Sequence, residues 1–240
     1  MNIQTLSKKA PITLVLIVSF VVVACYQLLQ GVGLDNPSSK DLIAFGANFL
    51  PLSLTYEPWR LVFSVFLHIG LIHLLFNGFA MYYFGMVVEQ IVGRLQFLAL
   101  FLLSAVGGNL LNLYITWQEV LADGRFGVSA GASGGIMGFG MFLLVLAITK
   151  TPTMFVLNTK SLAIIMGLNF VMGLTIDGID QAAHLGGACI GALFALLIWA
   201  VSRWRLSGVC FWLLSMVLLL VYGLIWWYLH NEIMAVMHAI

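Results

Sequence analysis

Long apolar stretches alternate with short polar connections along almost the whole chain. An α-helix needs about 20 apolar residues to cross the hydrocarbon core of a bilayer. The stretches of suitable character lie at about 11–30, 61–88, 95–117, 131–149, 161–175, 181–201 and 209–230. This pattern predicts seven membrane-spanning helices, of which the fourth is short.

The connection between the first two stretches, residues 31–60, differs from the others in length and character. It contains three prolines, three acidic residues and apolar pieces that are too short to cross a bilayer. A mixture of this kind is typical of an element that lies in the membrane interface. We therefore expect residues 31–60 to form an interfacial loop.

The first apolar stretch follows Lys8 and Lys9, and a signal peptide is one interpretation of it. Ala24-Cys25 loosely resembles a lipoprotein cleavage site, but Val22 occupies a position at which that motif usually has leucine. The apolar run also continues as far as Leu29. We interpret the stretch as an uncleaved first span.

Composition agrees with a membrane protein. Hydrophobic residues make up 62% of the chain, charged residues 8%, and the mean hydropathy is +1.08, whereas soluble domains contain about 25% charged residues. The net charge of +1 gives no indication of nucleic-acid binding. The three cysteines all lie in apolar runs, so neither a disulfide framework nor a zinc spacing is predicted.

The basic residues indicate an orientation. With a cytoplasmic N-terminus, seven of them lie on the cytoplasmic side: Lys8, Lys9, Arg94, Lys150, Lys160, Arg203 and Arg205. Three lie on the opposite side: Lys40, Arg60 and Arg125. This distribution follows the positive-inside rule. Because the chain is small and shows no transit peptide, we expect it in the cytoplasmic (inner) membrane of a bacterium.

In this topology the second, fourth and sixth spans all begin near the outer face, and polar residues occur close to each beginning. They are His68, His73 and Asn77 on the second span, Ser133 on the fourth and His184 on the sixth. Polar residues inside a membrane are costly and are candidates for function. His73 and Asn77 share a helix face, whereas His68 is about 140° away on the same helix and is expected to point elsewhere.

Ser133 is the candidate nucleophile. It lies among small residues at the start of the fourth span, where free backbone N–H groups and the helix dipole favour a developing negative charge. His184 can act as its general base if the fourth and sixth spans pack closely. Gly134-x-x-x-Gly138 and Gly187-x-x-x-Gly191 are small-residue patterns that allow such packing.

The sequence places no acidic residue deep in a span, so a two-residue serine–histidine arrangement is predicted. The backbone N–H of Ser133 and the side chains of His73 and Asn77 are candidate oxyanion donors. A zinc site formed by His68, His73 and His184 is conceivable. However, the His-Glu-x-x-His motif is absent from this stretch and no intramembrane carboxylate is available. We expect no metal and no cofactor.

Together these motifs resemble those of the rhomboid intramembrane serine proteases. The match covers about residues 55–200 and consists of Gly131-Ala132-Ser133-Gly134, Ala183-His184 through Gly187 and Gly191, His73 through Asn77, Trp59-Arg60, and Glu89 with Gly93-Arg94. Any one of these motifs is weak evidence, but all occur in the order and spacing of that family.

The resemblance implies an all-α membrane protein with a rhomboid-like six-helix transmembrane core and one additional C-terminal helix. The expected divisions are a cytoplasmic tail at 1–10, the catalytic core at 11–205 with its interfacial loop at 31–60, and the additional helix with a short tail at 206–240. Trp59-Arg60 would anchor the interfacial loop, and the fifth span with the turn at 177–180 would form a lateral gate and cap.

The resemblance also implies an activity. Ser133 would be the nucleophile, His184 the general base, and His73 and Asn77 oxyanion donors together with the Ser133 amide. The substrates would be transmembrane helices of other membrane proteins, cleaved near the outer face through an acyl-enzyme. Membrane lipids are the expected surroundings, and the oligomeric state and the physiological substrate stay open.

Two positions depart from the family pattern. Met137 stands where an aromatic residue usually packs on the catalytic histidine, and Gln181 stands where asparagine is frequent. A catalytically impaired relative that binds membrane clients is the alternative, although the retention of all four candidate site residues argues against it. A channel or transporter would show inverted repeats or paired charges within spans, and the sequence shows neither.

Overall fold

The computed structural model describes residues 3–33, 37–124, 126–175 and 178–239. Arg125 and Asp177, which belong to the predicted orientation and turn, lie outside these ranges. The described residues contain seven apolar helices, as predicted. They are α1 (Pro11–Leu29), α2 (Leu71–Val92), α3 (Arg94–Asp123), α4 (Ser133–Ile148), α5 (Thr159–Thr175), α6 (Gln181–Trp204) and α7 (Val209–Ala239).

Five of these helices are long and apolar enough to cross a membrane, while α4 and α5 are shorter. A further short helix, Ile3–Lys9, precedes α1. The all-α fold class is confirmed. The remaining regular elements of the described chain belong mainly to the interfacial loop and to the connection between it and α2: short helices at Ser39–Ala44, Leu50–Ser53 and Arg60–Phe63, a 3-10 turn at Ser64–Phe66, and the strand β1 at Asn48–Phe49.

The second span begins later than the sequence predicts. Gly70 is the residue immediately before the helix and has a φ of 115°, a conformation that favours glycine. The second span therefore starts at Leu71 rather than near residue 61. His68 consequently lies in the connection before α2. The prediction that His68 points away from His73 was wrong, because the two imidazole rings are neighbours with centroids 5.4 Å apart.

Glu89 joins the end of α2 to the start of α1. Its buried carboxylate accepts hydrogen bonds from the backbone N–H groups of Ile12 (3.0 Å) and Thr13 (2.7 Å) and from the Thr13 hydroxyl (2.8 Å). A carboxylate at a helix N-terminus satisfies free N–H groups and is stabilised by the helix dipole. Glu89 thus acts as the cap of α1. The five residues before Met86 in α2, Met81–Gly85, adopt a π-helical conformation.

Arg60 and Trp59 hold the interfacial loop in place. The buried Arg60 guanidinium donates to the carbonyl oxygens of Ile43 (2.7 Å) and Ala47 (3.1 Å) and pairs with Glu57 at 2.6 Å. The Trp59 ring packs on Gly46, where an added Cβ would come within 2.7 Å of it. Through these contacts, Arg60 and Trp59 anchor the interfacial loop.

The loop is joined to the segment that precedes α4 and to α7. Strand β1 pairs with the two-residue strand β2, Val128–Ser129, in an antiparallel register. From α7, the indole N–H of Trp226 donates to the Ser53 carbonyl (2.9 Å) and Nδ1 of His230 donates to the Leu54 carbonyl (2.7 Å). The additional helix is therefore attached to the interfacial loop as well as to the bundle.

Helix α4 lies at the centre of the bundle, and its contact with α6 is made backbone to backbone. A Cβ built on Gly187 would overlap the carbonyl oxygen of Gly134, and one built on Gly191 would overlap that of Gly138. The two Gly-x-x-x-Gly patterns thus face each other, which confirms the predicted packing. Small residues at such a contact let two helices approach closely enough for dispersion forces between their backbones to act.

The substitution Gly191→Ala tests this contact. We expect it to lower the free energy of unfolding by roughly 1–3 kcal/mol, because the methyl group forces the two backbones apart. Thermal unfolding in detergent, followed by helical circular dichroism, measures the effect. The control is Gly223→Ala on α7, where a Cβ meets nothing within 4 Å and alanine favours the helix by about 0.5–1 kcal/mol. Equal stability of the two variants would contradict the interpretation.

Candidate active site

Ser133 is the first residue of α4, as the sequence predicts. The chain reaches it through Gly131, whose φ of 132° disfavours any residue with a side chain. The Gly131 N–H donates to the Ser64 carbonyl at 3.0 Å. Ser133 is half-buried, whereas Ala132 before it and Gly134 after it are buried. The hydroxyl therefore stands at the first turn of a central helix, where backbone N–H groups have no partner within the helix.

His184 lies in the first turn of α6 and is buried. Its backbone N–H donates to the Asp180 carbonyl at 3.1 Å. Its ring Nδ1 is buried, and none of the described residues hydrogen-bonds to it. The position of the imidazole therefore depends on the backbone of α6.

The starts of α4 and α6 touch each other. A Cβ built on Gly134 would lie 3.2 Å from the carbonyl oxygen of Ala183. The residue after Ser133 therefore packs against the residue before His184. Because both residues belong to first helical turns, the contact brings the two candidate catalytic groups to the same level of the bundle.

The imidazole of His73 lies against the backbone just before Ser133. An added Cβ on Gly131 would come within 2.6 Å of Cε1 and 3.1 Å of Nε2 of this ring. The ring Nδ1 accepts a hydrogen bond from the Ile69 N–H at 3.3 Å. A neutral imidazole that accepts at Nδ1 carries its proton on Nε2. His73 therefore presents an N–H donor on the side that faces the approach to Ser133.

Asn77 lies one turn further along α2 and is buried. Its amide Nδ2 is a buried donor with no hydrogen-bond acceptor among the described residues. A buried donor without a partner costs about 1–3 kcal/mol. A buried donor of this kind requires an explanation. One explanation is that a substrate supplies the acceptor oxygen when it binds.

His68 packs between Phe20 and His73, with ring centroids 5.1 and 5.4 Å away. Both of its nitrogens are buried. Within the described ranges, no three histidine, cysteine, aspartate or glutamate side chains are grouped so that they could hold a metal ion. His68, His73 and His184 therefore do not form such a group.

The two departures from the expected pattern have defined places. Met137 is buried on α4, one turn beyond Ser133. The amide nitrogen of Gln181 donates to the Phe170 carbonyl of α5 at 2.6 Å, and its side chain lies against Gly173. Gln181 therefore connects the start of α6 with α5.

Comparison with known proteins identifies the family of this chain. The family model described as the rhomboid domain matches residues 55–201, which is more than half of the chain. The protein belongs to the rhomboid family. It is 32% identical over 217 residues to rhomboid protease AarA of Providencia stuartii, an alignment that covers 83% of this chain and 76% of that protein.

Two further relatives extend the comparison. Rhomboid protease GluP of Bacillus subtilis is 31% identical over 198 residues, which cover 82% of this chain and 37% of that protein. Rhomboid-like protease 1 of Toxoplasma gondii is 31% identical over 163 residues, or 67% of this chain and 54% of that protein.

The family membership confirms several predictions. The protein is a rhomboid-type serine protease, a hydrolase of peptide bonds, and an integral membrane protein with a helical bundle. The matched residues 55–201 lie within the predicted core and include Ser133, His184, His73 and Asn77. The roles of these four residues stay predictions.

The contact between His73 and Gly131 can be tested by Gly131→Ala. We expect a loss of activity of about 100-fold, because the methyl group strains the backbone and displaces the imidazole from the approach to Ser133. Initial rates of cleavage of a transmembrane substrate in detergent measure it. Gly127→Ala, four residues earlier, is the control, since a Cβ there meets nothing within 4 Å. Similar rates for both variants would argue against a tight contact.

Proposed function

We propose that this rhomboid protease cleaves transmembrane helices of other membrane proteins near the outer face of the membrane, with Ser133 and His184 as a catalytic dyad. The observation that carries the proposal is the backbone contact between Gly134 and Ala183, which holds the first turns of α4 and α6 together. A serine and an imidazole held at one level in this way can exchange a proton when their side chains come within hydrogen-bond reach.

The reaction begins with attack by the Ser133 hydroxyl oxygen on the scissile carbonyl carbon, while a ring nitrogen of His184 takes the hydroxyl proton. The carbonyl electron pair moves to oxygen and forms a tetrahedral oxyanion. Its collapse breaks the carbon–nitrogen bond, and His184 gives the proton to the departing amine. The product at this stage is an ester between Ser133 and the substrate's new C-terminal residue.

Water completes the cycle. His184 removes one proton from the water molecule as its oxygen attacks the ester carbonyl, and a second tetrahedral oxyanion forms. When this intermediate collapses, the proton passes from His184 to the Ser133 oxygen. The free enzyme is regenerated, and the second peptide leaves as a carboxylic acid.

The oxyanion receives hydrogen bonds from three donors in this proposal: the Ser133 backbone N–H, Nε2–H of His73 and the Asn77 amide. The helix dipole of α4 favours negative charge at the same place. Removal of one oxyanion donor typically lowers kcat by about 10²–10³-fold. The unpartnered amide of Asn77 and the proton position on His73 support this assignment.

Substrates reach the dyad laterally. In an intact transmembrane helix the carbonyl oxygens are bonded within the helix, so cleavage requires a locally unwound segment. Helix α5 is the proposed gate, because Leu162 and Met166 are the buried residues along its 17 residues and the rest of its surface is more exposed. Small residues at the cleavage point are the expected preference.

The cytoplasmic N-terminus and the bacterial inner membrane complete the proposal. Glu89 brings the start of α1 next to the inner end of α2, so that Lys8, Lys9 and Arg94 lie on one side of the bundle. A concentration of basic residues on one side indicates the cytoplasm. AarA of Providencia stuartii and GluP of Bacillus subtilis are bacterial proteins.

A serine-directed fluorophosphonate tests the dyad in detergent. We expect the wild-type protein to be labelled at Ser133, Ser133→Ala to be unlabelled, and His184→Ala to react at least about 10³-fold more slowly, since the base that activates the nucleophile is missing. Ser202→Ala, which removes an exposed hydroxyl at the far end of α6, is the control. Labelling that persists in Ser133→Ala would exclude this serine as the nucleophile, and an unlabelled wild type would favour the client-binding alternative.

The oxyanion donors are tested separately by His73→Ala and Asn77→Ala. Each is expected to lower kcat for a transmembrane substrate by about 10²–10³-fold with little change in KM, because the donor binds the transition state rather than the substrate. Asn169→Ala on α5 is the control, since its amide bonds only within its own helix. A raised KM at unchanged kcat would assign these residues to substrate binding instead.

A further inference from the structure

Ser129 and Asp180 connect the two segments that lead into the site. The Ser129 hydroxyl donates a hydrogen bond to Oδ2 of Asp180. Ser129 lies four residues before Ser133, and Asp180 lies four residues before His184. One hydrogen bond thus joins the approach to the nucleophile with the approach to the base.

Asp180 also fixes the first turn of α6. Its Oδ1 accepts from the Ala183 N–H at 2.8 Å, which makes it the N-cap of the helix. Its backbone carbonyl accepts from the His184 N–H at 3.1 Å. Because the capping residue sets where a helix begins and in which direction the first turn runs, Asp180 determines the backbone position of His184.

Ser129 is equally constrained on its own side. It is buried, and it belongs to β2, where it is paired with Asn48 of the interfacial loop. Two residues later, the Gly131 N–H is bound to the Ser64 carbonyl. The segment 128–131 is therefore fixed to the interfacial loop and to the 3-10 turn that follows it, and the Ser129 hydroxyl transmits that fixed position to α6.

We propose that Asp180 is a positioning residue of the protease. Its carboxylate accepts hydrogen bonds from both the first turn of α6 and the Ser129 hydroxyl, and it thereby sets the position of His184 relative to Ser133. The proposal rests on the proposed function of these two residues. The glycine contacts between α4 and α6 bring the helices together, whereas the bond between Ser129 and Asp180 fixes their outer ends. A displacement of about 1 Å at a catalytic group can cost about 100-fold in rate.

Three variants distinguish the effect of the hydrogen bond between Ser129 and Asp180 from the effect of the Asp180 cap on α6. Ser129→Ala removes the connection and leaves the carboxylate to cap α6. Asp180→Ser keeps a side-chain oxygen that can cap the helix but removes the second acceptor. The double variant removes both partners. Ser215→Ala is the matched control, because that buried hydroxyl bonds only to Phe211 within α7.

We expect each single variant to lower kcat for a transmembrane substrate about tenfold and to leave KM unchanged. The double variant should be no slower than the slower single variant, because both substitutions break the same hydrogen bond. The rate of fluorophosphonate labelling at Ser133 should fall in parallel, while Ser215→Ala retains the wild-type values. Melting temperatures in detergent identify any variant that fails to fold, and Ser129→Ala alone then decides.

The outcomes distinguish the two proposals. Wild-type kcat and labelling in Ser129→Ala would overturn the positioning role and leave the dyad intact, as would independent, multiplying losses in the double variant. A raised KM at unchanged kcat would also overturn it, because it would place the connection in substrate binding. An unlabelled Ser133 in the wild-type protein would overturn the dyad itself.

Discussion

The structure depends on the backbone contact between α4 and α6. Gly187 and Gly191 lie so close to the carbonyl oxygens of Gly134 and Gly138 that no side chain fits between the helices. In a bilayer, lipid tails are as apolar as leucine side chains, so two helices gain little from burying apolar area and must gain from close packing instead. The small residues around Ser133 therefore allow the close backbone packing that assembles the centre of the bundle.

Polar groups are distributed around this centre in two different states. Two charged groups that hold the architecture are extensively bonded: the Arg60 guanidinium has three acceptors in the interfacial loop, and the Glu89 carboxylate has three donors at the start of α1. The donor of Asn77 and the Nδ1 atom of His184 have no partner among the described residues. Since an unsatisfied buried polar group costs free energy, bonded groups such as Arg60 and Glu89 help to offset the stability that these open groups give up.

The sequence predicted the number of helices, the place of Ser133 at a helix start and the facing glycines. Hydropathy and small-residue spacing are local patterns, and a bilayer restricts an apolar run of this kind to a helix. It misjudged His68, since hydropathy predicts an unbroken span from about residue 61, whereas the helix begins only after Gly70. It also missed the connection between Ser129 and Asp180. Aspartate directly before a helical run is a recognisable capping signal, but its second oxygen finds its partner 51 residues away, and no local pattern contains that information.

The attachment of α7 has a consequence for how the protein is made. Trp226 and His230 bond to the carbonyls of Ser53 and Leu54, which are 173 and 176 residues earlier in the chain. A chain is synthesised and inserted from its N-terminus, so Ser53 and Leu54 emerge long before Trp226 and His230 exist. These two contacts of the interfacial loop therefore form only after the seventh helix has been made, late in the biogenesis of the protein.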